Sequence, residues 1–408
     1  MATAAVAKTG RAASALVFLL GAAVFLNYVD RGAIGIAAPL MKSELGLSEE
    51  AYGLAFSAFF WIYAPVQFFA GWLCDRFSVY KLMAAGILLW AASTLLMGFA
   101  GGFGSLLVLR VMLGVGESIS FPGSSKIIAR HVPADRRGVA NAAVATGLAL
   151  GPTLGTLAGG LILGQFGWRA IFFAFGLVTL IWLLPWQATV RALPTVAHED
   201  EEARVPLGAL LGKWSLWSMS IVHALGNYCF YFLLAWLPLF LTKARGFSIA
   251  EMTMLATLGY AAQAACALSY GHFSDWWTRS GRSEAACRRV VMVAAQALAA
   301  VAIFGLAFAE SAASIAILLC LAGAATAPLS VNLYAVAQMF AGPRATGTWV
   351  GVQNSIGNVS GIIGPIVTGI IVQRAGYDSA LMVTAAVAAV GAAWWAWGVP
   401  RIEQVQLD

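Results

Sequence analysis

Apolar residues in this chain gather in long runs that recur from end to end, separated by short polar clusters. A run of about 18–20 apolar residues crosses the hydrocarbon of a bilayer as one helix. The pattern predicts twelve such helices. Six cover 14–38, 52–74, 82–100, 104–129, 138–163 and 169–189; six more cover 214–241, 250–274, 289–309, 312–340, 346–373 and 377–399. Between the two sets lies "RALPTVAHEDEEARVPLGALLGK", the longest polar segment, which reads as a solvated linker. The expected organisation is an all-α polytopic membrane protein with an N-terminal six-helix half (1–189), a cytoplasmic linker (190–213) and a C-terminal six-helix half (214–408).

Composition supports this reading. Of 408 residues 61% are apolar and 10% are charged, about half the usual charged fraction. The first apolar run continues through Asn27, Asp30 and Arg31 with no small-residue cleavage site, so a spanning helix is expected there and not a signal peptide. Five scattered cysteines without a CxxC or His/Cys cluster are expected to be isolated thiols, and no metal site is expected. The net charge of +6 follows from topology. With both termini inside, cytoplasmic segments hold 16 Lys/Arg and outer loops five, while Arg31, Arg110 and Lys126 fall within spans. Basic residues collect in cytoplasmic loops of membrane proteins, so orientation explains the charge and nucleic acid is not an expected partner.

The two sets of six echo one another. "GWLCDR" (71–76) follows the second span and "GHFSDW" (271–276) the eighth, 200 residues later. "RRGVAN" opens the fifth span and "RATGTW" the eleventh, and "GP" recurs inside both, at 151–152 and 364–365. A parallel six-helix repeat implies a transporter with its site near the midplane, between the repeats. No His/Asp/Glu cluster, Ser/His/Asp set or soluble domain suggests an enzyme.

Charges inside spans carry the candidate chemistry, because each costs roughly 2.5–3.5 kcal/mol near the bilayer centre. Asn27, Asp30 and Arg31 fall within about 100° of arc on one helix. In "LRVMLGVGESISFPG" Arg110 and Glu117 stand seven apart, again on one face. At 1.5 Å per residue Asp30 and Arg110 lie at matching depth, roughly 12 and 9 Å below the outer boundary, while Glu117 lies deeper, at roughly 20 Å. Asp30 and Arg110 can therefore pair if their two helices face each other, and Glu117 has no partner obvious from the sequence. A desolvated carboxylate changes protonation more readily near neutral pH, which makes Asp30 and Glu117 candidate proton-coupling groups. Arg31 suits a substrate carboxylate, since its planar fork stays charged in a dry site. Polar residues at i, i+4 spacing mark stripes that suit a hydroxylated ligand: Tyr63 and Gln67; His223, Asn227 and Tyr231; Asn354 and Asn358. Gly147, Gly151, Gly155 and Gly159 recur every four residues, so the fifth span is expected to approach a neighbour closely, and Gly114/Gly116 follow the same packing logic.

"GWLCDRFSVYK" resembles the cytoplasmic loop motif G-x-x-x-D-R-x-G-R-K of the major facilitator superfamily, departing from it at Ser78 and Val79. Together, "NYVDR", "RVMLGVGES…FP", "FFWIYAPVQFFAGWLCDRF" and "FGWRAIFF" resemble the anion:cation symporter family, which includes bacterial galactonate, glucarate and hexuronate carriers. The resemblance implies proton coupling at Asp30 and Glu117, a substrate carboxylate on Arg31, Arg110 as partner of the aspartate, and substrate contacts from Tyr63 and Asn354. Asp75 with Arg76, and Asp275 in the repeat, are expected to clasp the cytoplasmic ends. Leu148 stands where family members often carry Gln or Ser, leaving room for a smaller or more apolar carboxylate. The expectation is therefore proton-driven symport of an organic anion by alternating access. It would need no cofactor beyond the proton gradient and be carried out by a monomer in the inner membrane. "GLALGPTLG" also resembles the G-x-x-x-G-P-x-x-G motif of drug:proton antiporters, so export remains the alternative.

Overall fold

A computed structural model describes residues 2–132, 137–192 and 207–406, and every regular element in them is helical. The helices of the first part are α1 (Ala2–Glu44), α2 (Glu49–Arg76), α3 (Val79–Met97), α4 (Phe103–Glu117), α5 (Ser120–His131), α6 (Arg137–Phe166) and α7 (Trp168–Arg191). A short α8 (Leu207–Leu211) precedes α9 (Trp214–Leu239), α10 (Ile249–Arg279), α11 (Glu284–Leu306), α12 (Ala312–Gly357) and α13 (Val359–Ala393). Lipid offers no hydrogen bonds, so an apolar run satisfies its backbone only by closing it on itself as a helix. Large apolar side chains such as Phe18, Leu161 and Leu184 accordingly point outward, where lipid is their solvent.

Among the described residues nine stretches are long and apolar enough to cross a bilayer. Helices α2 and α10 add spans of 28 and 31 residues, and the ninth stretch, Ala345–Gly398, is two helices joined across a kink at Gly376. Counted this way, the expected twelve spans are present. Gly342 and Gly376 turn the chain at the ends of the eleventh span with φ of 64° and 82°, a left-handed region that side chains with a Cβ avoid.

One span differs from expectation. The continuous helix expected over 104–129 is broken at Ser118 and Ile119, which separate α4 from α5. Pro122 explains the break: it has no N–H for the Ser118 carbonyl, and its ring presses on that carbonyl. Ser118 and Ile119 keep right-handed helical dihedrals, so the two helices still form one spanning stretch, Phe103–Ile128.

The chain forms two compact units. One comprises Met1–Gly46 and Ala58–Asp200, the other Leu47–Ser57 and Glu201–Asp408. The start of α2 joins the second unit for local reasons. Tyr52 donates to the Ala235 carbonyl at 2.7 Å and sets its ring edge-on against Trp236, while a Cβ on Gly53 would lie 2.3 Å from the Pro365 carbonyl oxygen. Most of the proposed linker (193–206) lies outside the described residues.

In the first unit α1 packs along α6 on the glycine stripe that the sequence marks. A Cβ on Gly147 would lie 2.4 Å from the Gly21 oxygen, on Gly151 2.6 Å from Tyr28 Cβ, and on Gly155 3.0 Å from Val29 Cα. The stripe thus sets how close the backbone carrying Asn27, Asp30 and Arg31 comes to α6. In the second unit Met219 and Val222 of α9, Met292 of α11, and Val336, Phe340 and Trp349 of α12 form one apolar core.

Candidate functional site

Four helices bring the buried charges of the first unit together. Asn27, Asp30 and Arg31 come from α1, Arg110 and Glu117 from α4, and none is more than 3% exposed. Two glycines make this approach possible. A Cβ on Gly114 would lie 2.2 Å from the Phe59 carbonyl oxygen of α2, and one on Gly116 would lie 2.6 Å from the Trp90 nitrogen of α3. With no side chains in the way, α4 sits against α2 and α3, and Glu117 reaches α1.

There it meets Arg31, whose Nε donates to Glu117 Oε2 at 2.7 Å. The sequence offers Glu117 no obvious partner; the fold supplies the residue otherwise expected to hold the substrate. Aromatic rings surround the guanidinium, with the centroids of Tyr28, Phe59 and Tyr63 at 5.1, 4.9 and 4.4 Å from Arg31 Cζ. Ring faces favour the cation, so Arg31 stays charged beside its carboxylate partner.

Matching depth puts Arg110 level with Asp30, but the hydrogen bonds to Asp30 come from elsewhere. Its Oδ2 accepts from the Trp90 indole of α3 and, at 3.2 Å, from the Thr179 hydroxyl of α7. Arg110 lies over the Phe59 ring, 5.1 Å from its centroid, and acts electrostatically on Glu117. Depth along a helix does not fix azimuth, so the sequence does not name Trp90 or Thr179 as neighbours of Asp30. Trp90, Thr179, Tyr28 and Phe59 do not appear among the residues expected from sequence. The available signal was weak: a buried indole needs an acceptor, and Trp90 faces a bundle that holds one.

In the second unit the expected polar stripes converge. Tyr231 donates to Asn358 Oδ1 at 2.5 Å, Asn358 to the Asn354 carbonyl at 2.8 Å, and Asn227 to the Gly357 carbonyl at 3.3 Å. Tyr334 donates to Asn354 Oδ1 at 3.3 Å. Buried His223 packs against Gly357 and edge-on to Tyr334. These groups are neutral, so the second unit offers hydrogen bonds where the first offers charge. The gate candidates Asp75, Arg76 and Asp275 lie outside the described side chains. Nearby, Lys126 donates to the Cys74 carbonyl at 2.6 Å, tying α5 to the end of α2. Among the described residues no group of three His, Cys, Asp or Glu gathers as a metal site.

A sequence model described as the Major Facilitator Superfamily matches residues 20–287 and 280–407, essentially the whole chain. The chain belongs to the major facilitator superfamily. This facilitator is 30% identical over 387 residues to a protein named as a probable sulfoacetate transporter of Cupriavidus necator, covering 90% of the chain and 89% of the relative. It is likewise 30% identical to a probable galactarate/D-glucarate transporter of Escherichia coli, again over 90% and 89% of the two chains. Its fold matches a crystal structure of a bacterial homologue of the human lysosomal transporter Spinster, with TM-score 0.78, 19% identity and 96% and 98% of the two chains covered. The facilitator is thus a multi-pass membrane transporter and not an enzyme, and its relatives agree with the resemblance to anion:cation symporters.

Proposed function

We propose that this facilitator takes up a small organic anion, a sugar acid or a compact carboxylate, by proton-coupled symport through alternating access. The observation that carries the reading is the buried Arg31–Glu117 pair. Leaving one member of such a pair buried without its counter-charge costs about 3–5 kcal/mol, so neither lets go alone. When Glu117 accepts a proton it no longer balances the guanidinium, and the substrate carboxylate takes its place on Arg31. The exchange keeps the interior neutral and makes substrate binding conditional on proton uptake. Asp30, held by Trp90 and Thr179, is the second proton-coupling group, and Arg110 biases Glu117. Tyr63 in the first unit and Asn227, Tyr231, Asn354 and Asn358 in the second are the groups that meet the anion's oxygens. The carrier needs no cofactor beyond the proton gradient. It works as a monomer in the inner membrane with both termini cytoplasmic, and Asp75, Arg76 and Asp275 close its cytoplasmic side. The relatives' printed substrates span this range, from sulfoacetate to galactarate or D-glucarate, and apolar Leu148 leaves room for its compact end.

Proteoliposomes with labelled D-glucarate, D-glucuronate and sulfoacetate test the reading. An acidic exterior drives at least one of them above equilibrium, and a protonophore abolishes the accumulation. Movement of these anions that ignores the pH gradient contradicts coupling. Proton-driven efflux of lipophilic drugs with no anion uptake replaces symport by export.

A further inference from the structure

The ion pair and the two bonds to Asp30 leave a set of buried polar atoms unaccounted for. Glu117 binds Arg31 through Oε2, and its Oε1 has no bonding partner among the described residues. Asp30 accepts both of its bonds on Oδ2, and its Oδ1 has none. Asn27, fully buried, lies close enough to Glu117 to act on it, yet neither amide atom makes a hydrogen bond of full geometry, and it stands one turn from Asp30 on the same face of α1. Thr94 Oγ1, fully buried beside Asp30 and close enough to act on it, likewise makes no hydrogen bond of full geometry. Leaving one buried donor or acceptor unmade costs roughly 1–3 kcal/mol, and native proteins meet such groups with ordered water where two to four polar partners converge.

The repeat supplies an internal control. Asn227 stands 200 positions after Asn27 in the equivalent helix, and its amide is spent on the Gly357 carbonyl at 3.3 Å. The same residue type is therefore a backbone tether in one half, while in the other it stands beside two carboxylates and makes no hydrogen bond of full geometry. The charged and titratable groups around it are Tyr28, Asp30 and Arg31 of α1, Tyr63 of α2, and Arg110 and Glu117 of α4. Helices α3 and α7 contribute the neutral Trp90, Thr94 and Thr179.

From this arrangement we infer that Asn27 and Thr94 hold an internal water site that joins Asp30 Oδ1 to Glu117 Oε1 and passes a proton between them. The amide of Asn27 donates to the water and accepts from it, and the Thr94 hydroxyl anchors the Asp30 end. The transfer is balanced within the site: a proton leaving one carboxyl enters the water chain as another leaves the chain for the second carboxylate, and net charge is unchanged. Asn27 is then a positioning residue, acting on coupling through the water it orients. The inference rests on the proton-coupling reading of Asp30 and Glu117.

Infrared difference spectra of the purified full-length carrier, stepped between pH 5 and 8 in ordinary and oxygen-18 water, separate the two claims. In the wild type a carboxylic C=O band titrates, accompanied by an O–H band that shifts in oxygen-18 water. Asn27→Leu, of similar volume, removes the isotope-sensitive band and leaves a carboxyl band. Thr94→Val, an isosteric change that keeps the fold, weakens the isotope-sensitive band at least twofold. A titrating carboxyl band with no oxygen-18 shift in the wild type, or a shifted band that survives in both variants unchanged, overturns the water site and leaves the coupling reading standing. Absence of any carboxyl band titrating in this range overturns the coupling reading itself.

Discussion

The two halves share a frame and differ in charge. Asn27 and Tyr28 of α1 recur as Asn227 and Tyr228 of α9, but the positions of Asp30 and Arg31 are taken by Phe230 and Tyr231. Gly114 lets α4 onto Phe59 of α2, and Gly323 lets α12 onto Gly259 of α10, with Cβ-to-carbonyl distances of 2.2 and 2.1 Å. Three residues beyond these glycines stand Glu117 in one half and Thr326 in the other. Where the first half packs Asp30, Tyr63, Arg110 and Glu117, the second places Phe230, Gln263, Leu319 and Thr326 around a cavity of about 20 Å³. Backbone packing is shared, while at these matched positions the charged side chains lie in the first copy. An ion pair at one end of each half shows the same freedom. Glu44 at the end of α1 binds Arg169 at the start of α7, whereas Arg245 after α9 binds Asp378 with the signs exchanged.

If charge in the first half carries the substrate, Arg31→Lys lowers uptake at saturating gradient at least about 100-fold, because an ammonium cannot reproduce the planar fork. Tyr231→Phe, which removes a neutral bond to Asn358, lowers it less than tenfold. Equal losses in a flux assay would erase the asymmetry.

The next effect is on the shared frame. Gly147→Leu forces a side chain into the Gly21 backbone and costs about 1–3 kcal/mol or prevents folding, read as a lowered melting temperature. Gly347→Ala, with open space around it, leaves the melting temperature unchanged. The paired ends differ more gently. Arg245 donates to the carbonyls of Leu306, Ala307 and Ala309 as well as to Asp378. Losing it therefore lowers thermal stability more than losing Arg169, whose ion pair with Glu44 is solvent-exposed and worth roughly 1 kcal/mol or less.

The smallest expected effect is at the opposite end of the first unit, where Tyr80 bonds His131. Burial, and after it the charge of Arg130, holds the His131 imidazole below its ordinary value of 6.5. The neutral ring is thus the one the fold favours, and its contribution is complete above about pH 6.5 and declines as pH falls below it. His131→Gln flattens that slope in melting curves measured from pH 7 to 5. An unchanged slope assigns the acid sensitivity to another group. The other half has a pH-independent stack of Phe340 on Trp349, with centroids 5.8 Å apart, near the corresponding end.

Much of this was legible in the sequence because membranes enforce it. Spanning length and the four-residue glycine period are properties of single helices, and both hold in the structure. The Arg31–Glu117 pair was not legible: it joins α1 to α4, whose place is set by Gly114 against α2 and Gly116 against α3, and the periodicity of one helix carries no information on the azimuth of its neighbour. The same gap explains why Trp90 and Thr179, and not Arg110, bond Asp30. The break after Glu117 was readable in principle, since "ESISFPG" places Pro122 four residues beyond the carbonyl it disrupts.

The central claim is that protonation of Glu117 releases Arg31 to the substrate, and Glu117→Gln tests it most directly because glutamine is permanently neutral and nearly isosteric. In proteoliposomes loaded with D-glucarate or sulfoacetate, whichever the wild type accumulates, the variant should keep exchanging internal for external anion while losing accumulation driven by an acidic exterior. A Glu117→Gln carrier that still concentrates the anion to the wild-type level under the same gradient would contradict the account.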